Sequence, residues 1–289
     1  MKFSQQALEG VKSLENIVVQ HSSFVNALET IENVMQIGVG TGIHAGVRLI
    51  APSGAGKSQL IKHLEITSTK TRLNTSELQI IYTSLKENPS VSQLQGDLLR
   101  WFGYPLQGLS RQSNNNDVNQ ILVRAIAQNQ VKLLGFDEFQ HIFTNGGSKV
   151  ATIVLDWLKR LMNSTKVPVL LLGTEMLERL DGIDPQLTSR IPTVVKLNHF
   201  RPDGEWVGFL QSLSNGYKNF DLSPIVKERN PKKLFLATNG SLRLLKSLLA
   251  FAVGIGITKG EAVMSEELLG QAFLMMFGQV SAEENPFVS

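Results

Sequence analysis

Short apolar segments recur along the first two thirds of the chain, and stretches of helix length separate them. Four of these segments are continuously apolar, which is typical of strands covered on both faces: VRLIA (47–51), LQIIYTSL (78–85), VKLLGF (131–136) and VPVLLLG (167–173). TVVKL (193–197) indicates a final short strand. This alternation predicts an α/β fold, in which a parallel sheet is flanked by crossover helices.

The segments between the strands carry helix signals. Residues 90–103 begin with Ser90 and Gln93 in the spacing of a capping box and end at Gly103, and residues 116–129 show a similar apolar stripe. Beyond about residue 200 the strand signals stop and the patterns are helical. We therefore expect a helical leader (1–40), an α/β domain (41–199), a small all-helical lid domain (200–280) and a flexible tail (281–289).

Composition narrows the class of protein without deciding its function. The chain has 289 residues and no cysteine, so disulfides, thiolate metal sites and a cysteine nucleophile are excluded. A net charge of +3 permits nucleic-acid binding but does not argue for it. The first residues lack the apolar core of a signal peptide, and the longest apolar run (248–257) is shorter than the roughly 20 residues of a membrane helix. We expect a soluble, cytoplasmic protein without a membrane segment.

The stretch APSGAGKS (51–58) lies between the first predicted strand and a helical segment, which is where a phosphate-binding loop belongs. Such a loop needs small residues that turn backbone N–H groups toward phosphates, a lysine for the β- and γ-phosphate oxygens and a hydroxyl for Mg²⁺. The predicted nucleotide-binding residues are Pro52, Ser53, Gly54, Ala55, Gly56, Lys57, Ser58 and Gln59. Ala51 replaces the first glycine of the strict pattern, at a strand end where we expect a methyl group to be tolerated. A plain turn between strand and helix is the alternative.

An acidic pair, Asp137 and Glu138, follows the third strand. Asp137 is suited to hold the water shell of a metal, and Glu138 is suited to polarise an attacking water. An isolated pair of this kind is more often a solvated loop, but a phosphate loop eighty residues earlier favours a function. Ser58 and Asp137 are therefore the predicted metal ligands. Thr174, at the end of the fourth strand, is a candidate to contact the γ-phosphate or the water, although threonine is also common at strand ends for structural reasons.

Two arginines are candidates for phosphate contacts, because arginine is permanently charged and binds phosphate in a bidentate manner. Arg190 lies just before the last predicted strand, where it would project into the nucleotide of a neighbouring subunit. Arg243 begins a helix of the lid and would fold onto the phosphates of its own subunit. A solvated surface arginine is the alternative for both.

The order of these parts resembles that of an AAA+ ATPase. APSGAGKS corresponds to Walker A, LLGFDE (133–138) to Walker B, Thr174 to sensor 1, Arg190 to an arginine finger and Arg243 to sensor 2. Within that superfamily, GFDEFQHIF (135–143) in a compact chain is similar to the TniB/TnsC group of transposition regulators from Tn7-like and CRISPR-associated transposons. The resemblance covers about residues 15–275.

The resemblance implies ATP and Mg²⁺ as cofactors, and no guanine-reading Asn-Lys-x-Asp stretch is present. It implies an ATPase that assembles on double-stranded DNA as a homo-oligomeric ring or helical filament, recruits and activates a transposase, and disassembles as ATP is hydrolysed. A TniQ-type targeting protein, in some systems with an RNA-guided complex, is the implied upstream partner. Adenine contacts are expected from the leader around residues 18–24.

Other positions carry weaker expectations. By position in such assemblies, Lys86 and Arg111 are the residues that we expect to contact DNA backbone phosphates. His141 is expected to have a structural or supporting role, and the five histidines show no metal-ligand spacing. Apolar residues 286–288 in the tail indicate either a disordered end or a short hook for a partner. No three-carboxylate strand-transfer site and no convincing helix-turn-helix is evident, so chemistry on DNA would belong to a partner.

Three alternatives stay open. An AAA+ loader of the replication-initiator type or a secretion-linked ATPase would keep the fold, although the former usually adds a winged-helix domain and the latter a membrane or wall-binding module. A small-molecule P-loop kinase would present several lid arginines, which are sparse here. A nucleotide-binding scaffold with negligible hydrolysis would assemble without turnover.

Overall fold

The structure is a computed structural model that describes residues 2–43, 45–70, 80–104, 115–144, 147–278 and 284–288. The chain divides into two compact units. The sheet unit consists of Ser23–Ser53 and Lys57–Leu197. The helical unit consists of Met1–Ser22, Gly54–Gly56 and Asn198–Ser289.

Five parallel strands form the sheet. They are β1 (Gly46–Ile50), β2 (Ile80–Ser84), β3 (Leu133–Asp137), β4 (Val169–Gly173) and β5 (Thr193–Lys196). Their order is β2-β3-β4-β1-β5, and every pairing is parallel. Each strand overlaps a predicted one, so the predicted α/β fold is confirmed. Because the carboxyl ends of parallel strands share one edge, the segments that follow β1, β3 and β4 meet there.

Helices precede, connect and follow these strands. In chain order they are α1 (Gln5–Glu15), α2 (Ser22–Thr41), α3 (Lys57–Lys70), α4 (Val91–Arg100), α5 (Asn115–Gln128), α6 (His141–Thr144), α7 (Gly147–Thr165), α8 (Leu180–Ile183), α9 (Pro185–Thr188), α10 (Gly204–Gly216), α11 (Asn230–Thr238), α12 (Leu242–Lys259) and α13 (Glu266–Phe277). Short 3₁₀ helices cover Glu175–Arg179 and Ser223–Val226. The predicted start of α4 is confirmed, since Ser90 Oγ accepts a hydrogen bond from the backbone N–H of Gln93 at 3.2 Å.

Among the described residues, the core of the sheet unit is mostly apolar, and the one buried charged side chain is that of Arg48. Leu134, Phe136 and Leu171 of β3 and β4 are fully buried together with side chains of α4, α5 and α7. Arg48, in the middle of β1, departs from the predicted apolar run. Its side chain is 6% exposed, and its Nη1 lies 2.8 Å from Asp181 Oδ1 in α8. An ion pair with a residue 133 positions away therefore allows a charge in a central strand.

The helical unit has its own core, which includes Trp206, Leu245 and Leu268 from α10, α12 and α13. Asn239 and Gly240, both with positive φ, follow α11, and a Cβ on Gly240 would overlap the carbonyl oxygen of Phe200. Among the described residues, no single helix is long and apolar enough to cross a membrane. Only α11 and α12 taken together reach that length and composition, and they are bent by 116° at their junction.

The predicted leader of residues 1–40 is divided between the two units. α1 belongs to the helical unit, where Tyr217 Oη donates to the carbonyl oxygen of Gly10 at 3.0 Å. Lys246 Nζ donates to the carbonyl oxygens of Glu15 at 2.8 Å and Ile17 at 2.9 Å, just after α1 ends. Most of α2 lies in the sheet unit. The sequence predicted a helical leader but not which core its helices would join.

The end of the chain also differs from the predicted flexible tail over residues 284–288. Phe287 is buried in the core of the helical unit, with its ring centroid 6.3 Å from that of Phe273. Asn285 is buried beside it, and its Nδ2 donates to the carbonyl oxygen of Gly270 at 3.2 Å. Burial of this aromatic ring and the hydrogen bond of Asn285 help to offset the entropy of ordering these residues.

Candidate nucleotide-binding site

The loop after β1 has the backbone that a phosphate-binding loop requires. Gly54 and Gly56 have φ of +85° and +100°, in the left-handed region that favours glycine. α3 begins directly afterwards at Lys57, so the N–H groups of its first turn have no partner within the helix. Ala51 has no positive φ, and its N–H donates to the carbonyl oxygen of Gly173 at 2.9 Å. A methyl group therefore fits at this position without backbone strain.

Lys57 and the acidic pair come together in the sheet unit. Lys57 Nζ lies 3.1 Å from Asp137 Oδ1 and 2.9 Å from Glu138 Oε1. The side chains of Lys57 and Asp137 are 12% and 16% exposed, and that of Glu138 is 37% exposed. Asp137 ends β3, so the parallel sheet brings the acids to the same edge as the loop after β1. The arrangement places one cation between two carboxylates in a partly buried setting.

Glu138 has an unusual backbone and a shifted pKa. Its φ is +52°, and its N–H donates to Asp137 Oδ1 at 2.8 Å. Burial raises the pKa of its carboxyl. Hydrogen bonds from Lys57 and Gln140, together with the positive charges of Lys57 and His141, outweigh burial and lower the pKa below its ordinary value. The carboxylate is thus ionised at neutral pH, as an acceptor for the proton of a water must be.

Gln140 is a residue of the site that the sequence argument missed. It is buried, its Nε2 donates to Glu138 Oε2, and its Oε1 accepts a hydrogen bond from the N–H of Thr174 at 3.3 Å. The only signal in the sequence was a polar residue two positions after the acidic pair. Such a spacing does not reveal a contact with the strand beside β3.

Thr174 directly follows β4, which lies between β1 and β3. Thr174 is half-buried, and its backbone N–H is bonded to Gln140. The structure thus brings Lys57, Asp137, Glu138 and Thr174 to one edge of the sheet. The contact of the threonine hydroxyl with phosphate or water stays a prediction.

Arg190 lies between α9 and β5, and β5 is at the edge of the sheet. The residue is half-buried. Its Nη1 atom is buried and has no hydrogen-bond partner among the described residues. No acid therefore neutralises that nitrogen in the described chain, and the role toward a neighbouring subunit stays a prediction.

Arg243 begins α12 in the helical unit, to which Gly54–Gly56 also belong. The N–H of Arg243 donates to the carbonyl oxygen of Gly54 at 3.2 Å, and its side chain is exposed. A Cβ on Gly54 would lie 2.7 Å from Ser241 Oγ, so space as well as φ requires glycine there. The backbone contact is shown, while a contact of the guanidinium with phosphate stays a prediction.

Two further predicted positions are less informative. Lys86 is exposed in the segment after β2, and Arg111 lies outside the described residues.

His141 begins α6 beside the acidic pair, and its charge helps to lower the pKa of Glu138.

The donor set fits a magnesium nucleotide. Ser58 is exposed in the first turn of α3, and Asp137 supplies a carboxylate at the end of β3. Within the described part of the chain, no group of three or more His, Asp or Glu side chains could hold a metal ion alone. Mg²⁺ in phosphate-transfer sites takes one or two protein ligands and completes its shell with water and phosphate oxygens. One hydroxyl and one carboxylate beside a phosphate loop match that requirement.

A family model of bacterial TniB proteins matches residues 13–201, which is more than half of the chain. The chain belongs to the TniB family. The predicted resemblance to the TniB group is therefore confirmed. No curated protein matches the chain at a significant level.

Solved structures show the fold of this TniB-family chain. The Aeropyrum pernix ORC1 protein in complex with DNA has a TM-score of 0.69 at 14% identity, over 92% of this chain and 69% of that chain. The Aeropyrum pernix ORC2 protein, in ADPNP-ADP complexes, has a TM-score of 0.64 at 18% identity, over 93% and 70%. Cdc6p from Pyrobaculum aerophilum has a TM-score of 0.66 at 14% identity, over 89% and 68%. The predicted AAA+ fold, with a parallel sheet and a C-terminal helical region, is confirmed.

Proposed function

We propose that this TniB-family protein is an ATP-dependent, sequence-nonspecific DNA-binding regulator of transposition. It oligomerises on target DNA as a ring or filament, recruits and activates a partner transposase, and disassembles as ATP is hydrolysed. The contact of Lys57 with both Asp137 and Glu138, beside a loop with two left-handed glycines, is the observation that carries the ATPase part. Membership of the TniB family supports the transposition part. The DNA in the Aeropyrum pernix ORC1 structure supports the DNA part.

Each site residue has a role in this proposal. The N–H groups of residues 52–59 and the Lys57 ammonium bind the triphosphate, and Ser58 and Asp137 hold Mg²⁺. The bound metal neutralises charge on the phosphate oxygens. Glu138 accepts a hydrogen bond from the attacking water and orients it, with Thr174 beside it.

The two arginines are proposed to act from different subunits. Arg190 stabilises charge on the nucleotide of a neighbouring subunit, and Arg243 does so on its own. Arg190→Ala should lower ATP turnover only under conditions of assembly, whereas Arg243→Ala should lower it under all conditions. Arg160→Ala, a change of an exposed arginine on α7, is the matched control. Full turnover by assembled Arg190→Ala would refute the role in trans.

Nucleotide binding and hydrolysis are separable by two substitutions. Lys57→Ala should lose binding of a fluorescent ATP analogue, because the loop loses its only lysine. Glu138→Gln should keep binding and lose turnover by a factor on the order of 100 or more. Glu32→Gln, a change of an exposed residue of α2, is the control. Undiminished phosphate release by Glu138→Gln would contradict the assignment of this carboxylate, and nucleotide binding without any wild-type turnover would favour the scaffold alternative.

Negative-stain imaging with duplex DNA tests the assembly. The purified protein is imaged without nucleotide, with ATP and with a non-hydrolysable ATP analogue, and Lys57→Ala is the control. Nucleotide-dependent rings or filaments on DNA, absent for Lys57→Ala, support the proposal. Discrete particles that look the same with and without DNA under all conditions would refute the proposal.

The proposed DNA contacts are tested by salt dependence. Lys86→Ala combined with Arg111→Ala should weaken duplex binding for all sequences and reduce the slope of log affinity against log salt by about one to two. Lys218→Ala changes an exposed lysine of the helical unit and is the control. An unchanged affinity and salt slope in the double variant would remove these residues from the DNA surface.

Recruitment of a transposase distinguishes the proposed function from other AAA+ functions. A cognate transposase should be retained on DNA only when this protein and ATP are present, and a TniQ-type protein, alone or with an RNA-guided complex, should choose the site. A replication-type loader or a secretion-linked ATPase would share the ATP site and fail this assay. The AAA+ fold and the family leave the small-molecule kinase without support.

A further inference from the structure

Gln140 links two residues of the proposed ATPase site that come from different strands. Its amide nitrogen donates to Oε2 of Glu138, and its amide oxygen accepts from the N–H of Thr174. Lys57 contacts the other oxygen, Oε1, of the same carboxylate. Both oxygens of Glu138 are thus held by named donors, and one of the two donors is anchored on the segment after β4.

The space for this amide depends on Gly173. A Cβ on Gly173 would lie 2.5 Å from Gln140 Oε1 and 3.0 Å from Leu177 Cγ. The carbonyl oxygen of Gly173 accepts the N–H of Ala51, the first residue of the phosphate loop. One glycine therefore pairs with the loop through its backbone and leaves room for the amide that reaches Glu138.

Nucleotide binding affects the two side-chain contacts of Glu138 differently in the proposed function. In the proposed function, Lys57 turns its ammonium to the phosphates, and Glu138 loses that partner. Gln140 has no such competing ligand, because its oxygen is bonded to protein backbone and its side chain is 7% exposed. The amide then remains to fix the carboxylate while the water attacks the γ-phosphate.

We propose that Gln140 is a positioning residue, whose side-chain amide holds the carboxylate of Glu138 in its hydrolytic orientation and ties it to the backbone of Thr174. The inference rests on the proposed ATP hydrolysis. Gln140 touches no reacting atom and acts through Glu138. Movement of the segment after β4 is thereby transmitted to the residue that orients the water.

Gln140→Leu tests the proposal, because leucine has a similar size and no amide. We expect kcat for ATP to fall on the order of 100-fold, because a small misplacement of a catalytic group has effects of that size. KM and the affinity for a fluorescent ATP analogue measured without Mg²⁺ should change less than about threefold, since the loop and Lys57 are intact. Gln95→Leu removes an equally buried glutamine from α4 and should keep full activity.

A second readout needs no nucleotide. Amide hydrogen exchange at Thr174 should become about 5–10-fold faster in Gln140→Leu, because the hydrogen bond to the amide oxygen is lost, and should be unchanged in Gln95→Leu. Gln140→Glu is isosteric, replaces the donor to Glu138 by an oxygen and should lose kcat as Gln140→Leu does. Gln140→Glu replaces Gln140→Leu as the test variant if the leucine variant does not fold.

A third variant tests the pairing with glycine. Gly173→Ala should lower kcat by displacing the amide, and combining it with Gln140→Leu should lower kcat little further, because both act on one contact. Independent, multiplicative losses would overturn the proposal, as would wild-type kcat in Gln140→Leu or an equal loss in Gln95→Leu. If the wild-type protein hydrolyses no ATP, the proposed function fails instead, and Thr174 exchange still reports whether the amide makes its contact.

Discussion

The ion contacts of Lys57 predict a measurable coupling free energy between Lys57 and Glu138 in the unfolding of the nucleotide-free protein. Lys57→Met removes the ammonium and leaves two carboxylates side by side, and Glu138→Gln removes the charge of one of them. If Lys57 and Glu138 interact in solution as they do in the structure, the loss of stability in the double variant will be smaller than the sum of the two single losses.

The size of the coupling follows from distance and exposure. Two unit charges 2.9 Å apart attract by about 1.4 kcal/mol in water and by about 6 kcal/mol at an effective dielectric constant of 20. Lys57 is nearly buried, but Glu138 is 37% exposed, and desolvation opposes the attraction. We therefore expect a coupling energy of about 1–2 kcal/mol and a loss of about 2 kcal/mol for Lys57→Met alone.

Urea unfolding of the four proteins without nucleotide measures this coupling. The exposed pair Lys196–Glu178 provides a matched control cycle, because its atoms lie 2.6 Å apart but its side chains are 54% and 51% exposed. That pair should show a coupling of less than about 0.5 kcal/mol. A Lys57–Glu138 coupling no larger than the control value would show that the contact is not populated, and the argument from burial would be refuted.

Three further predictions concern stability. Ser90→Ala should lower the free energy of unfolding by about 1 kcal/mol through loss of the α4 cap, as measured by urea unfolding. Asp181→Ala should cost about 2 kcal/mol because it leaves Arg48 buried without its partner, while Arg48→Met should cost less; equal losses would contradict this. Because the pKa of Glu138 is lower when folded, its stabilisation is present above its ordinary pKa and is lost as pH falls through the lowered value. Glu138→Gln should therefore flatten the decline of stability below about pH 4.5, as measured by urea titrations across that range.

Local features of the sequence predicted most of the fold. Parallel strands covered on both faces are apolar over most of their length, so β2, β3 and β4 were visible as runs. The candidate phosphate loop was visible because its backbone conformation depends on glycines at fixed spacing, and Gly54 and Gly56 have positive φ. The acidic pair was identified by its place at the end of a strand.

Contacts between residues far apart in the chain were not predictable in this way. Arg48 interrupts an apolar run, and only the tertiary structure places Asp181, 133 positions later, beside it. An amphipathic helix shows which of its faces is buried but not against what, so the sequence could not assign α1 to the helical unit. Phe287 had an apolar side chain in a polar tail, and only the packing around Phe273 showed where it lies.

The sequence alone therefore determined the α/β class and identified residues 51–58, Asp137 and Glu138 as a candidate nucleotide-binding site, because each depends on residues adjacent in the chain. Only the tertiary structure decided that Lys57 contacts both acids and that Gln140 joins Glu138 to Thr174. Those contacts depend on the order of the strands, which places the ends of β3, β4 and β1 side by side. Strand order is set by how the whole sheet buries its faces, and no short stretch of sequence contains that information.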